Sequence, residues 1–359
     1  MNPLLELNSF GQSVWLDYIR RDFVTGGGLK KLIDEDGLAG MTSNPAIFEK
    51  AIGGGNEYAA ALQALKAKGL GAMDLYETLA IEDIRAAADL FKPVFEATKG
   101  LDGFVSLEVS PYLARDTAGT VAEARRLWKD VARPNVMIKV PATAEGLPAI
   151  ELLTSQDMNV NVTLLFSRAV YEQVAQRYIA GLEHRAAEGL DIDRIASVAS
   201  FFVSRIDSAV DPLVPEALRG KTAIANAVLA YDSYKKIFSG TRWQNLADKG
   251  ARPQRLLWAS TSTKNPAYRD VMYVEELIGV NTVNTLPPAT LDAFRDHGKP
   301  RASLEEDVGA ARATLDAVAK HVSLDEITNK LTDDGVKLFA EAFDKLLAAV
   351  EAARKAAAA

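Results

Sequence analysis

Short runs of apolar, largely β-branched residues recur along the chain, each closed by polar residues or a turn signal. Eight read as strands: 13–19 (SVWLDYI), 38–44 (LAGMTSN), 103–110 (GFVSLEVS), 135–141 (NVMIKVP), 159–166 (NVNVTLLF), 196–203 (ASVASFFV), 255–262 (RLLWASTS) and 281–287 (NTVNTLP). Between them lie stretches whose apolar residues repeat at three- and four-residue spacing, such as 119–133 and 167–189, which predict amphipathic helices. Strand and helix in alternation imply parallel pairing, and eight strands is the number that closes a (β/α)8 barrel. Two gaps are long enough for helical insertions, at about 45–102 and 204–254. Residues 302–357 read as Ala/Leu-rich helices expected to pack on the outside of the barrel. No linker-like change of composition and no repeat of 20 to 50 residues interrupts the pattern, so residues 1–359 are read as one barrel domain.

Composition narrows the chemistry. The 359 residues are 48% apolar and 25% charged, which is globular, and 41 Lys and Arg against 48 Asp and Glu leave a net charge of −7. That balance argues against a nucleic-acid partner, although a local basic pocket for a small phosphate is compatible with it. No apolar run reaches the roughly 18 residues that span a bilayer, and the N-terminus lacks the pattern of a signal peptide, so no membrane association and a cytoplasmic location are expected. The absence of Cys excludes thiol nucleophiles and thiolate-bound zinc. His184, His297 and His321 are scattered in polar contexts, which argues against a histidine metal site or a Ser-His-Asp triad. Acid–base work falls to carboxylates, lysine or tyrosine.

In such a barrel the reactive groups sit at the C-terminal ends of the strands, and nearly every candidate strand carries a polar residue late in its run. Lys139 is the most unusual, a lysine flanked by Val136, Ile138 and Val140. An apolar wall disfavours its ammonium form and favours the free amine that attacks a ketone as a Schiff-base nucleophile. The alternative is an edge-strand lysine whose head reaches solvent. Asp17 and Glu108 are carboxylates embedded in strands, which is costly unless they are paired or kept for chemistry. Schiff-base chemistry needs an acid to expel water and a base to take a hydroxyl proton, and these two could serve, or could close ordinary ion pairs. Asn44, Asn161, Thr163 and Ser200 suit sugar hydroxyls or a held water, with a helix-capping role open for Asn44 before Pro45. Arg205 and Lys264 each follow a strand and could hold a phosphate. Ser260, Ser262 and Asn284 complete the set. Gly26–Gly27–Gly28 reads as a flexible loop, and Gly220–Lys221–Thr222 lacks the upstream glycine of a nucleotide loop. Trp15, Trp128, Trp243 and Trp258 read as packing residues.

Ordered motifs add a resemblance. Thr42-Ser43-Asn44-Pro45-Ala46-Ile47-Phe48 resembles a signature of the transaldolase family, and Met137-Ile138-Lys139-Val140-Pro141-Ala142-Thr143, with Glu145-Gly146, is similar to its Schiff-base lysine motif. The likeness continues through 161–166, 200–205 and 281–287, and the length resembles the longer bacterial branch, some members of which are fused to a sugar-phosphate isomerase. The resemblance implies a cofactor-free TIM barrel, without metal, that moves a dihydroxyacetone unit from sedoheptulose 7-phosphate to glyceraldehyde 3-phosphate in the pentose phosphate pathway. It implies Lys139 as the imine-forming residue, Asp17 as the base in carbon–carbon cleavage, and Glu108 acting through a water held by Thr163. Asn44, Asn161 and Ser200 would hold the three-carbon fragment and Arg205 the phosphate. The family's frequent Ser-Phe-Arg-Asn is here Ser262-Thr263-Lys264-Asn265, which keeps a charge but not a bidentate fork. Fructose 6-phosphate aldolases are similar but release free dihydroxyacetone; they typically carry tyrosine and glutamine where this chain has Phe202 and Glu108, so transfer is favoured. Monomer and homodimer both remain open.

Overall fold

The computed structural model describes residues 2–53, 57–66 and 69–356; positions 54–56 and 67–68 of the first helical insertion and the closing 357–359 lie outside the described residues. All eight predicted strands form: β1 (Gln12–Asp17), β2 (Gly40–Thr42), β3 (Phe104–Glu108), β4 (Val136–Pro141), β5 (Val160–Leu165), β6 (Ser197–Phe202), β7 (Arg255–Ala259) and β8 (Thr282–Leu286). Each pairs in parallel with its sequence neighbours, and β8 closes on β1. Strands in such a barrel are covered on one face by helices and on the other by the interior, so they read as nearly continuous apolar runs. Polar residues inside those runs are therefore the exceptions whose direction decides what they do.

The interior is closed at its N-terminal end by a polar floor. Trp15 projects into the barrel opposite Gly40, its register partner, and a Cβ at Gly40 would lie 2.5 Å from the indole, so only glycine leaves room for the ring. The Trp15 Nε1–H donates to Asp102 at 3.0 Å, Ser13 donates to the same carboxylate at 2.7 Å, and Arg255 lies 2.8 Å from it. The Arg255 and Asp102 side chains are 5% and 8% exposed, and removing either partner of so buried a pair costs roughly 3–5 kcal/mol.

The insertions are helical where described, with Pro45–Gly53, Ala59–Lys66 and Ala72–Ala97 between β2 and β3, and Ser204–Val210, Thr222–Ile237 and Thr241–Ala247 between β6 and β7. Gly26–Gly28 is a tight turn rather than a flexible loop. Gly27 takes φ 88° between two helices, a conformation that favours glycine. No helix among the described residues is long and apolar enough to cross a membrane.

The C-terminal region meets its expectation in part: Val308–Val318 packs on the outer helix Thr222–Ile237, whereas the last helix reaches further. The 33-residue helix Leu324–Ala356 packs along the outer helix Ala72–Ala97 and crosses the mouth of the barrel, touching Pro45–Gly53 after β2, the turn Pro111–Leu113 after β3, Ser204–Val210 after β6, and β5 itself. Its apolar stripe explains this: Phe339, Phe343, Leu346 and Val350 fall on one face and are all buried, and full burial of such side chains stabilises by about 1.5–3 kcal/mol each. Gly335 lies one turn before Phe339 and brings the helix down onto β5, since a Cβ there would sit 2.8 Å from Leu164 Cδ2. Leu164 has φ 60° at an irregularity in the β5–β6 register, a conformation that costs a branched residue about 1 kcal/mol or more.

Candidate active site

Lys139 and its neighbours owe their meeting to register. Glu108 in β3 is the Cα partner of Lys139 in β4, and Lys139 is the partner of Asn161 in β5, so three polar side chains point inward at one level. The Lys139 Nζ donates to the Ser43 carbonyl oxygen at 3.3 Å and lies 3.4 Å from Glu108 Oε2. The two side chains are 5% and 7% exposed, so this ion pair is almost wholly withdrawn from water. Burial pushes the Glu108 carboxyl up to about 7, with the Lys139 ammonium opposing the rise and the Asp17 carboxylate adding to it. Asp17, at the end of β1, accepts a hydrogen bond from Thr42 Oγ1 at 2.7 Å. Burial also raises its carboxyl above the usual range, against the pull of Lys139 and Thr42. The arrangement sets one amine between two carboxyls, both biased toward holding a proton.

Above this group lies a cavity of about 190 Å³, lined by Asp17, Asn44, Lys139, Thr163, Ser200, Phe202, Arg205 and Lys264 from the expected set, with Ser260 and Ser262. Asn44 does both things open to it, accepting from the Ile47 N–H at 3.1 Å as a helix cap while facing the cavity. Thr163 Oγ1 and Glu108 Oε2 are buried oxygens with no hydrogen-bond partner among the described residues. At the rim, Arg205 stacks over Phe202 with its guanidinium carbon 5.2 Å from the ring centre, and Lys264 Nζ donates to Ser262 Oγ at 2.8 Å. Neither cation has a carboxylate partner among the described residues. Desolvation holds the Arg205 guanidinium below its usual range, and desolvation together with Arg205 does the same to Lys264. Two unneutralised cations at one mouth form a place for an anion.

Three expected residues stand apart from the cavity lining, Glu108 among them, which meets the site through its ion pair with Lys139. Asn161 is fully buried, donating to Ser106 Oγ at 3.0 Å and accepting from Ser200 Oγ at 2.7 Å, so it braces β3 to β6 beneath the site. Asn284 pairs with Thr261 instead, and Thr285, one position on, lines the cavity with its hydroxyl 2.7 Å from that of Thr42. The sequence reading did not single out Phe339, which also lines the cavity and places its ring centre 5.7 Å from Lys139 Nζ. Its signal was an aromatic at a core-like helix position, indistinguishable there from packing.

A closed parallel barrel with an amine and two carboxyls at the C-terminal ends of its strands, beneath a cationic mouth, belongs to the (β/α)8 barrel class with its site where that class carries chemistry. A family model described as Transaldolase/Fructose-6-phosphate aldolase matches residues 14–350, and the chain belongs to that family. It is 48% identical to a "Transaldolase" of Trichodesmium erythraeum, covering 98% of this chain and 97% of the relative. It is 49% identical to the "Transaldolase" of Thiobacillus denitrificans, over 98% of this chain and all of the relative. A third "Transaldolase", from Thermobifida fusca, is 49% identical over 96% of each chain. The resemblance read from the motifs is thereby borne out.

Proposed function

We propose that this protein is a transaldolase, transferring a dihydroxyacetone unit from sedoheptulose 7-phosphate to glyceraldehyde 3-phosphate to give erythrose 4-phosphate and fructose 6-phosphate. The observation that carries the reading is the buried Lys139 amine held 3.4 Å from Glu108 and facing, with Asp17, a cavity whose rim is cationic. Lys139 passes its ammonium proton to the adjacent Glu108 carboxylate and attacks the donor ketone as the free amine, and Glu108, whose carboxyl at about 7 can hold a proton near neutrality, then gives that proton to the departing hydroxyl as the imine forms. Thr163 Oγ1 and Glu108 Oε2 would hold the water through which this proton passes. Asp17 takes the C4 hydroxyl proton while the C3–C4 bond breaks, releasing the aldehyde and leaving an enamine on Lys139. The acceptor aldehyde then enters, a new carbon–carbon bond forms, Asp17 returns the proton to the new hydroxyl, and water frees the product from the lysine.

Arg205 and Lys264 bind the substrate phosphate, and Asn44 and Ser200 the hydroxyls of the three-carbon fragment; Asn161 acts by fixing Ser200. The reading carries a cytoplasmic location, sugar phosphates as its small-molecule partners, and action without a cofactor, as a monomer or a homodimer. Phe202 offers no phenol at the position where the related aldolases carry tyrosine, so release of free dihydroxyacetone is not favoured. The test is to mix the protein with fructose 6-phosphate, reduce with borohydride and map adducts by peptide mass spectrometry. A reduced three-carbon adduct on Lys139 is expected; a folded protein with no adduct, or with the adduct elsewhere, overturns the assignment.

A further inference from the structure

We propose that Phe339, delivered by the C-terminal helix Leu324–Ala356, shields the lysine-bound three-carbon intermediate from water and so determines transfer over release, with Gly335 setting how closely the ring is held. The inference rests on the proposed function and adds to it a residue from outside the barrel strands. The enamine left on Lys139 after cleavage has two fates. It can attack an incoming aldehyde, or it can take a proton at C3 to become an imine again, whereupon one water adds at C2 and free dihydroxyacetone departs from the regenerated amine. The second fate returns the water lost when the imine formed, so it runs wherever water reaches the lysine.

The cavity wall around Lys139 is largely polar, and Phe339 sets an aromatic ring 5.7 Å from the amine, itself only 8% exposed. The helix that carries it is fixed on both sides of that ring. One turn earlier, Gly335 rests on Leu164 of β5, where a Cβ would come within 2.8 Å of the leucine side chain. One turn later, Phe343 packs edge-on against Tyr76 and Tyr112, with ring centres 5.4 and 5.5 Å away. Tyr112 also donates to Asp344, and Arg115 pairs with Asp333, which ties the helix to the segment that follows the Glu108 strand. Gly335, Phe339 and Phe343 thus form one face of one helix, a small residue allowing close approach and two rings filling what lies beneath.

The experiment compares the wild type with Phe339→Ala, Phe339→Leu and Gly335→Ala. Dihydroxyacetone released from fructose 6-phosphate alone is measured against sedoheptulose 7-phosphate formed when erythrose 4-phosphate is added, and imine formation is checked by borohydride trapping. The ratio of release to transfer should rise about tenfold in Phe339→Ala and several-fold in Gly335→Ala, and return toward the wild-type ratio in Phe339→Leu, which restores apolar bulk without the ring. Unchanged ratios in the two alanine variants, with the Lys139 adduct still trapped, overturn the shielding role while leaving the proposed function standing. If Phe339→Ala does not fold, Gly335→Ala decides alone. A wild type that traps no adduct on Lys139 overturns both.

Discussion

Replacing Glu108 with glutamine tests the electrostatics of the site through the stability of the whole protein. The Glu108 carboxyl moves from 4.5 to about 7 on folding, because burial beside Lys139 disfavours its charged form more than the lysine stabilises it. At about 1.4 kcal/mol per pH unit this is worth roughly 3 kcal/mol. Below about pH 4.5 the carboxyl is protonated in both folded and unfolded chains, and the contribution is fully present. Between pH 4.5 and about 7 the unfolded chain gives up the proton that the folded protein keeps, so stability falls as pH rises; above 7 both forms are ionised and the loss is complete. Glutamine keeps the shape and does not titrate. Urea unfolding of both proteins from pH 4 to 8 should therefore show the wild type losing on the order of 3 kcal/mol relative to Glu108→Gln across that window. Asp17, also raised, is coupled to Glu108, so its own titration shifts in the variant and adds a smaller term to the difference. A difference that stays flat with pH would refute the account. The same variant should lower kcat roughly a hundredfold or more, because a positioned acid is lost.

Lys139→Met should abolish the borohydride adduct and turnover yet fold with little loss of stability at neutral pH, since Glu108 without its cation simply keeps its proton; a variant that unfolds would instead make the lysine a structural partner. Arg205→Ala should raise KM for phosphorylated substrates by about tenfold or more and Lys264→Ala by less, because the fork of Arg205 is half-buried against Phe202 while Lys264 is exposed; equal effects, or none, in steady-state kinetics would remove the phosphate assignment. Phe202→Tyr should increase dihydroxyacetone release from fructose 6-phosphate by placing a phenol at the cavity wall, and no gain in a direct assay for the free ketone would count against it.

The strands were legible because each is covered on both faces, which leaves apolar runs with little alternation and sharp polar ends. Lys139, Asp17 and Glu108 stood out for the same reason, since a charge inside such a run has few structural excuses. The choice between Asn284 and Thr285 was not legible: it depends on which residue of a pair faces inward, and a one-residue change of register exchanges the faces. Asn161 looked like a ligand-binding amide, and only its hydrogen bonds to Ser106 and from Ser200 show both ends of it engaged. The C-terminal helix has a periodicity that says it buries one face but not against what. Gly335 was the available clue, a helix-breaking residue inside a long helical pattern that marks a close approach.

The floor of the barrel bears on how the chain assembles. Asp102 and its companions Ser13 and Trp15 belong to the part of the chain that builds the first three strands, whereas Arg255 lies 153 residues beyond Asp102 at the start of the seventh. During synthesis the carboxylate emerges long before its guanidinium, so any early compact form must either leave Asp102 wet or bury it unpaired. A sheet that curled shut with fewer strands, or with β7 out of order, would strand that charge in its own interior. The Arg255–Asp102 pair thus discriminates among closures rather than merely filling one, and it ties correct winding to arrival of the seventh strand.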